Sequence, residues 1–473
     1  MPTRNDNVVR ADTAARRLCR ISRAAALAPL AFVFAAAAAI ATPLDDYVAK
    51  PDPAFKYTKI GDTELANSTT SIYHMVSQNW LDKSKVDRPL WEHSVTIAVP
   101  AEVKYTKAMM FIGGGGNEGG YDKLGEENGP LEKIAVATKS IVVVVKQIPN
   151  QPLHFVGEHD PKYKESGRRE DELITYGWDK FMTNGDPAWL PRLPMTKAVV
   201  RAMDLAQKEF PKIDGFFVAG ASKRGWTTWN VAAVDKRVIG IAPVVIDCLN
   251  FEKSLQNHHD VYGFWAPAIE NYVETKIVDR IHTPEMKNLL KVVDPYSYLD
   301  RLTMPKYIMN GSGDQYFTLD SSKLYFDDLK GEKYLCYFPN ADHSLNAEAY
   351  FLLASFYEAV LAKTPLPKFA WKRADDGSLS VKCETKPTKA QLWKAYNPDA
   401  RDFRLATLGK KFESTPLTES APGVYASNVK PADKGWTAFF IELEFPNPDF
   451  STPFRFTTGV SVVPDTYPGK DKK

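Results

Sequence analysis

Between residues 108 and 363 the chain repeats one pattern: a short apolar run suited to a buried strand, then a longer run with apolar residues at helical spacing. AMMFIGGGG (108–116), SIVVVVKQIP (140–149), GFFVAGAS (215–222), VIGIAPVVID (238–247), KYIMNGSGD (306–314) and KYLCYFPNADH (333–343) read as strands, some running on into loops. Unbroken β-branched runs such as SIVVVV are what a strand buried on both faces requires. MTKAVVRAMDLAQKEF (195–210), KRGWTTWNVAAV (223–234), TLDSSKLYFDDLK (318–330) and LNAEAYFLLASFYEAVLAK (345–363) read as helices. The alternation predicts an α/β domain with a mostly parallel sheet.

The flanks differ. Residues 42–95 form a polar, aromatic lead-in, and EHSVTIAVPAEV (92–103) alternates like an antiparallel strand. Residues 250–302 interrupt the strand–helix rhythm with aromatic, partly helical sequence, as a cap inserted into the domain would. At the Thr364-Pro365-Leu366-Pro367 junction the pattern changes to short alternating segments: LSVKCETK, FRLATL, GVYASNV, GWTAFFIELEF and FRFTTGVSVV. They predict an all-β sandwich of roughly immunoglobulin size. The expected organisation is an α/β domain over 42–365, with its cap at about 250–302, and a β-sandwich domain over 366–473.

Residues 1–41 read as a signal peptide. Arg16, Arg17, Arg20 and Arg23 precede an uncharged run (24–41) that ends in the small-x-small pattern Ala39-Ile40-Ala41. The run is Ala-rich and broken by Pro29, which favours cleavage over a lasting membrane anchor. The expectation is an exported protein, periplasmic or extracellular. Its 60 basic and 58 acidic residues nearly balance, so charge gives no case for nucleic acid or an anionic membrane. Cys248, Cys336 and Cys383 are widely spaced without metal-ligand pattern and read as buried, small apolar residues.

The chemistry centres on Ser222, which follows a buried strand and precedes a helix. A serine hydroxyl needs a base to take its proton and donors to hold the developing oxyanion. In α/β-hydrolases the serine sits on a sharp strand-to-helix turn, and its partners follow in the order acid, then histidine. Here Asp314 ends a later strand in GSGDQ, and His343 follows the last strand in NADHS. Asp247, at the end of VVID, is the alternative orienting acid. The backbone N–H of Lys223, with those of Gly114 and Gly115 in the run 113–116, would bind the oxyanion. The glycine run is not a phosphate loop, since no Gly-Lys-Ser/Thr follows it. The usual second glycine of the turn is replaced by Arg224, with Gly225 one place later. Glucuronoyl esterases carry the same Gly-x-Ser-x-x-Gly variant with arginine after the serine, a position Lys223 resembles. Arg224, Asp247, Trp226 and His259 are the expected substrate contacts. The charge-dense run 165–181 reads as a solvated helix or as a rim of the site. No cofactor or metal is expected.

GASKRGWTTW, APVVIDCLN with HHDVYGFW, NGSGDQYF and NADHSL resemble the PhoPQ-activated pathogenicity-related proteins. So do WKAYNPDARDFR and the tail from GWTAFFIELEFP to SVVPDTYP, and the resemblance covers roughly residues 47–468. It implies an exported α/β-hydrolase-like domain with a small β domain, in a family that includes secreted proliferation repressors. It does not imply a substrate. Ser222, Asp314 and His343 are assigned by analogy with the fold. Two functions are expected to compete: a secreted serine esterase, or less readily a peptidase, acting on a small-molecule or glycan ester; and a secreted interaction protein that binds a partner through its β domain without catalysis.

Overall fold

The computed structural model describes residues 41–121 and 129–470, so the expected leader lies outside the described residues except for Ala41. Nine strands build the main sheet: β1 (Lys56–Leu65), β2 (Ser68–Asn79), β3 (Leu90–Pro100), β4 (Lys107–Ile112), β5 (Ile141–Val145), β6 (Gly215–Ala221), β7 (Val238–Val244), β8 (Lys306–Gly311) and β9 (Lys333–Phe338). Their order is β1-β2-β3-β5-β4-β6-β7-β8-β9. β1, β2, β3 and β5 pair antiparallel in turn, and every pair from β5 to β9 is parallel. This is an α/β-hydrolase sheet. The chain reverses its direction of growth between β4 and β6, and ligands of open α/β sheets bind at such switch points, beyond the carboxyl ends of the strands.

The buried strands explain the two-layer covering. Val143 and Val145 face one cluster, with Leu193, Val199 and Phe216; Val142 and Val144 face the other, with Ile134, Phe217, Leu352 and Phe356. Successive residues of one strand thus serve opposite faces. Helices Arg192–Glu209 and Lys223–Val234 cover the first face, Gly129–Thr138 and Glu348–Ala362 the second. Between β7 and β8 the chain is helical, with Phe251–Tyr262, Glu270–Glu274 and Pro284–Val293 as its α-helices. This is the expected cap. No helix among the described residues is long and apolar enough to cross a membrane.

The C-terminal part is all-β apart from one short helix. β10 (Phe369–Arg373), β11 (Leu379–Cys383) and β14 (Val424–Ser427) form a three-stranded sheet. β12 (Lys389–Asn397), β13 (Glu413–Pro416), β15 (Trp436–Phe445), β16 (Phe454–Thr457) and β17 (Ser461–Val463) form the facing layer. Leu379 and Val381 of one layer share a core with Phe439, Ile441 and Leu443 of the other. The second layer also runs on from the main sheet, through a single pairing of Thr457 with Leu335.

Three local expectations need correction. The lead-in holds two strands, β1 and β2; β1 is largely exposed and shows no apolar face in sequence. Residues 318–330 contain only a 3-10 turn, Ser321–Leu324. Asp320, at its start, is drawn to Lys323 and Arg401, and Tyr325 turns inward to Asp247. FRLATL holds a helix, Leu405–Leu408, rather than a strand. Asp402 accepts from the Arg404 N–H and from the Thr407 hydroxyl, which winds the segment. Cys248, Cys336 and Cys383 are free and buried, as expected.

Candidate active site

Ser222 stands between β6 and the helix Lys223–Val234 with φ 57° and ψ −124°. A positive φ is costly for a residue with a side chain and persists only where its surroundings enforce it. The enforcement is local. The Ser222 N–H donates to Val244 O at 2.8 Å, and its carbonyl accepts the first helical bond from Trp226 at 3.0 Å. A Cβ on Gly220 would lie 2.8 Å from Arg224 O, and one on Gly225 2.8 Å from the Ile246 side chain. Gly225 therefore does the work of the displaced glycine of the usual motif.

Asp314 follows β8 and His343 follows β9. His343 Nδ1 bonds Asp314 Oδ2 at 2.7 Å, with both side chains largely buried. Its other nitrogen, Nε2, is buried and has no hydrogen-bond partner among the described residues, so it makes no bond to Ser222 Oγ. The ring packs on Tyr316 and Phe317, at 4.4 and 6.0 Å between centroids. Tyr316 and Phe317 line a cavity together with Ser222, and the Lys223 ammonium lies 5.8 Å from the centre of the Tyr316 ring.

The cavity has a volume of about 50 Å³. Ser222, Lys223 and Trp226 form its wall on the sheet side, and His258, Phe251 and Tyr272 come from the cap. Lys223 is buried and bonds Asp171 at 2.9 Å. Arg224 turns the other way: it donates to Ile148 O at 2.6 Å, pairs with Glu170, and lies against Gly114. Burial pushes the Glu170 carboxyl up, but Arg224 and Lys223 outweigh it and hold the group below its ordinary value. A Cβ on Gly114 would sit 2.6 Å from Arg224 Nη2, so glycine here makes room for the guanidinium.

The structure sorts the expected residues. Asp314, not Asp247, touches His343. Asp247 lines the cavity, but Tyr325 and Tyr337 each donate to one of its oxygens at 2.6 Å. Burial raises its carboxyl to about 7, against those two donors. Trp226 lines the cavity and is fixed by an indole bond to Val293 O at 2.6 Å. The expected contact from His259 shifts by one residue. Both rings pack on Trp265, but the cavity is lined by His258 and not by His259, because these neighbours project at different angles from their helix. Burial pulls His258 down to about 3, and its Nε2 accepts from Ala266 N–H. Gly114 and Gly115 meet Arg224 and Gln147 rather than the cavity. Sequence reasoning did not single out Arg192, Asp171, Tyr316 or Phe317. Asp171 lay inside the charge-dense run already considered as a rim. Arg192 carried no signal, since an arginine opening a helix usually faces water.

Comparison with known proteins places this arrangement among others. The family model described as PhoPQ-activated pathogenicity-related protein matches residues 44–404. Autocrine proliferation repressor protein A of Dictyostelium discoideum is 35% identical over 465 residues, which cover 91% of this chain and 92% of that protein. Among solved structures, acetyl xylan esterase 1 from Thermoanaerobacterium sp. JW/SL YS485 is similar over 67% of this chain and 93% of its own, at 15% identity and a TM-score of 0.46. A glucuronoyl esterase from Solibacter usitatus is similar over 66% of this chain and 87% of its own, at 15% identity and a TM-score of 0.37.

Proposed function

The chain belongs to the PhoPQ-activated pathogenicity-related protein family, and we propose that it is an exported serine hydrolase, an esterase rather than a peptidase, acting through Ser222, His343 and Asp314. The observation that carries this reading is the state of His343: Nδ1 is held by Asp314 and Nε2 is left without a partner. A histidine oriented in this way can take a proton at Nε2 from a hydroxyl brought within reach of it as substrate binds. Ser222 Oγ attacks the ester carbonyl carbon as its proton passes to His343 Nε2. The resulting oxyanion is held by the Lys223 N–H, at the first turn of the helix that follows Ser222. The tetrahedral adduct collapses, the alcohol leaves with the proton from His343, and an acyl-enzyme remains. Water then attacks that ester, giving up a proton to His343, and Ser222 regains its proton as the acid departs. Residues 1–41 act as the export signal, and residues 366–473 form the β-sandwich domain.

A second reading has one observation in its favour: the 35% identical relative is named as a proliferation repressor. On that reading the scaffold binds a partner, with the β domain as its surface. A fluorophosphonate probe on the purified mature protein separates the two. Labelling that Ser222→Ala and His343→Ala both abolish is the expected result. No labelling of protein shown to be folded would sink the hydrolase reading and leave the interaction protein.

A further inference from the structure

Arg192 opens the helix Arg192–Glu209 and is 1% exposed. Its guanidinium lies over the Trp226 ring, 4.4 Å from the centroid, in the lining of the Ser222 cavity. Its guanidinium carries five N–H donors; Nη1 donates to Lys223 O at 2.8 Å, and Nε is buried with no acceptor among the described residues. Arg192 forms no ion pair among the described residues. Of the two carboxylates in the cavity lining, Asp171 is 2.9 Å from the Lys223 ammonium. Asp247 is occupied by its two tyrosines.

A buried charge is costly unless it is paired. The ring face beneath Arg192 offsets part of that cost. What remains is a planar, forked donor, and that geometry fits a carboxylate. The cavity is also small. Its volume is about 50 Å³. Its walls are otherwise mainly apolar side chains, such as Phe251, Leu255 and Ile269.

We propose that this cavity receives a short acyl group ending in a free carboxylate, so that the substrate class is the half-ester of a small dicarboxylic acid. The inference rests on Ser222 being the nucleophile. The scissile carbonyl lies at Ser222, the intervening methylene groups fill the apolar space, and the terminal carboxylate meets Arg192. The same contact would hold the released dicarboxylate as a product.

The test pairs two esters of equal chain length on the mature protein: 4-methylumbelliferyl butyrate and the 4-methylumbelliferyl half-ester of succinate. The expected result is a kcat/KM at least about tenfold higher for the succinate half-ester, the discrimination a buried charged contact supplies. Free succinate should slow fluorophosphonate labelling of Ser222, and butyrate should not. Arg192→Met should invert the kcat/KM ratio, and Arg192→Lys should restore part of it. If neither variant folds, the wild-type ratio and the succinate protection decide the matter. Equal or butyrate-favouring turnover without succinate protection, in protein that the probe labels, would overturn the acidic pocket and leave the hydrolase intact. Absence of both turnover and labelling would overturn the hydrolase reading itself, and the pocket assignment with it.

Discussion

The turn that carries Ser222 is closed by its neighbours. Gly220 and Gly225 let β6 meet the following helix, and Val244 of the adjacent strand accepts the Ser222 N–H. The loops that carry Asp314 and His343 are closed from much further along the chain. Leu405 N–H donates to Gly313 O at 2.9 Å, and a Cβ on Gly313 would meet Leu405 at 2.8 Å. Asn340 and Phe412 exchange two hydrogen bonds of 2.9 Å across 72 residues. Arg401 reaches Asp320 at 2.8 Å across 81 residues, with both side chains almost wholly buried. The segment 401–412 therefore braces the loops of Asp314 and His343, while the turn at Ser222 stands without it. One half of the site is a local structure and the other is a tertiary one, and they should fail under different injuries.

The largest injury to the tertiary half is Arg401→Met. It leaves Asp320 buried with Lys323 as its remaining ion-pair partner among the described residues. Removing one member of a buried pair costs about 3–5 kcal/mol. The expected outcome is lower stability in denaturant unfolding. Hydrogen exchange should quicken first in residues 311–320 and 340–343, with β6 amides keeping their protection. Uniform loss of protection across β6 and these loops would contradict the division.

The same division explains what could be read from the chain. Ser222 was legible because strand, turn and helix lie within sixteen consecutive residues, 215–230. That Ser222, Asp314 and His343 share one edge was legible because the parallel sheet brings successive strand ends there. The bracing was not: no pattern in ARDFRLATL names Gly313 or Asp320 as its target, and FRLATL read as a strand. Arg192 was missed for the opposite reason. A charged residue is taken to face water unless a partner is visible, and here the chain supplies a backbone carbonyl and an indole face. His258 and His259 were separated only by the face of their helix, which the sequence leaves open over so short a span.

Gly220→Ala strikes the local half. The added Cβ would press on the Arg224 carbonyl, an atom of the helix backbone, so relief requires the turn to open. Overpacking of this kind costs about 1–3 kcal/mol. The protein should fold, with the His343–Asp314 pair intact by the low-field proton resonance of its hydrogen bond. Fluorophosphonate labelling of Ser222 should nevertheless be lost or greatly slowed. Labelling at the wild-type rate would show that the turn does not depend on Gly220.

The mildest change is Asn340→Gly. Asn340 has φ 56°, a conformation that glycine adopts freely, so the substitution removes the side-chain bonds to Phe412 without adding backbone strain. The Asn340 N–H retains its bond to Ser312 Oγ at 2.9 Å, which keeps the loop anchored at one point. Losing the two bonds to Phe412 should cost about 1–2 kcal/mol. Because Asn340 is three residues from His343 and does not line the cavity, the change should lower kcat several-fold and leave KM as it was. A KM that rises while kcat holds would mean that the C-terminal segment shapes the binding pocket instead of aligning the histidine.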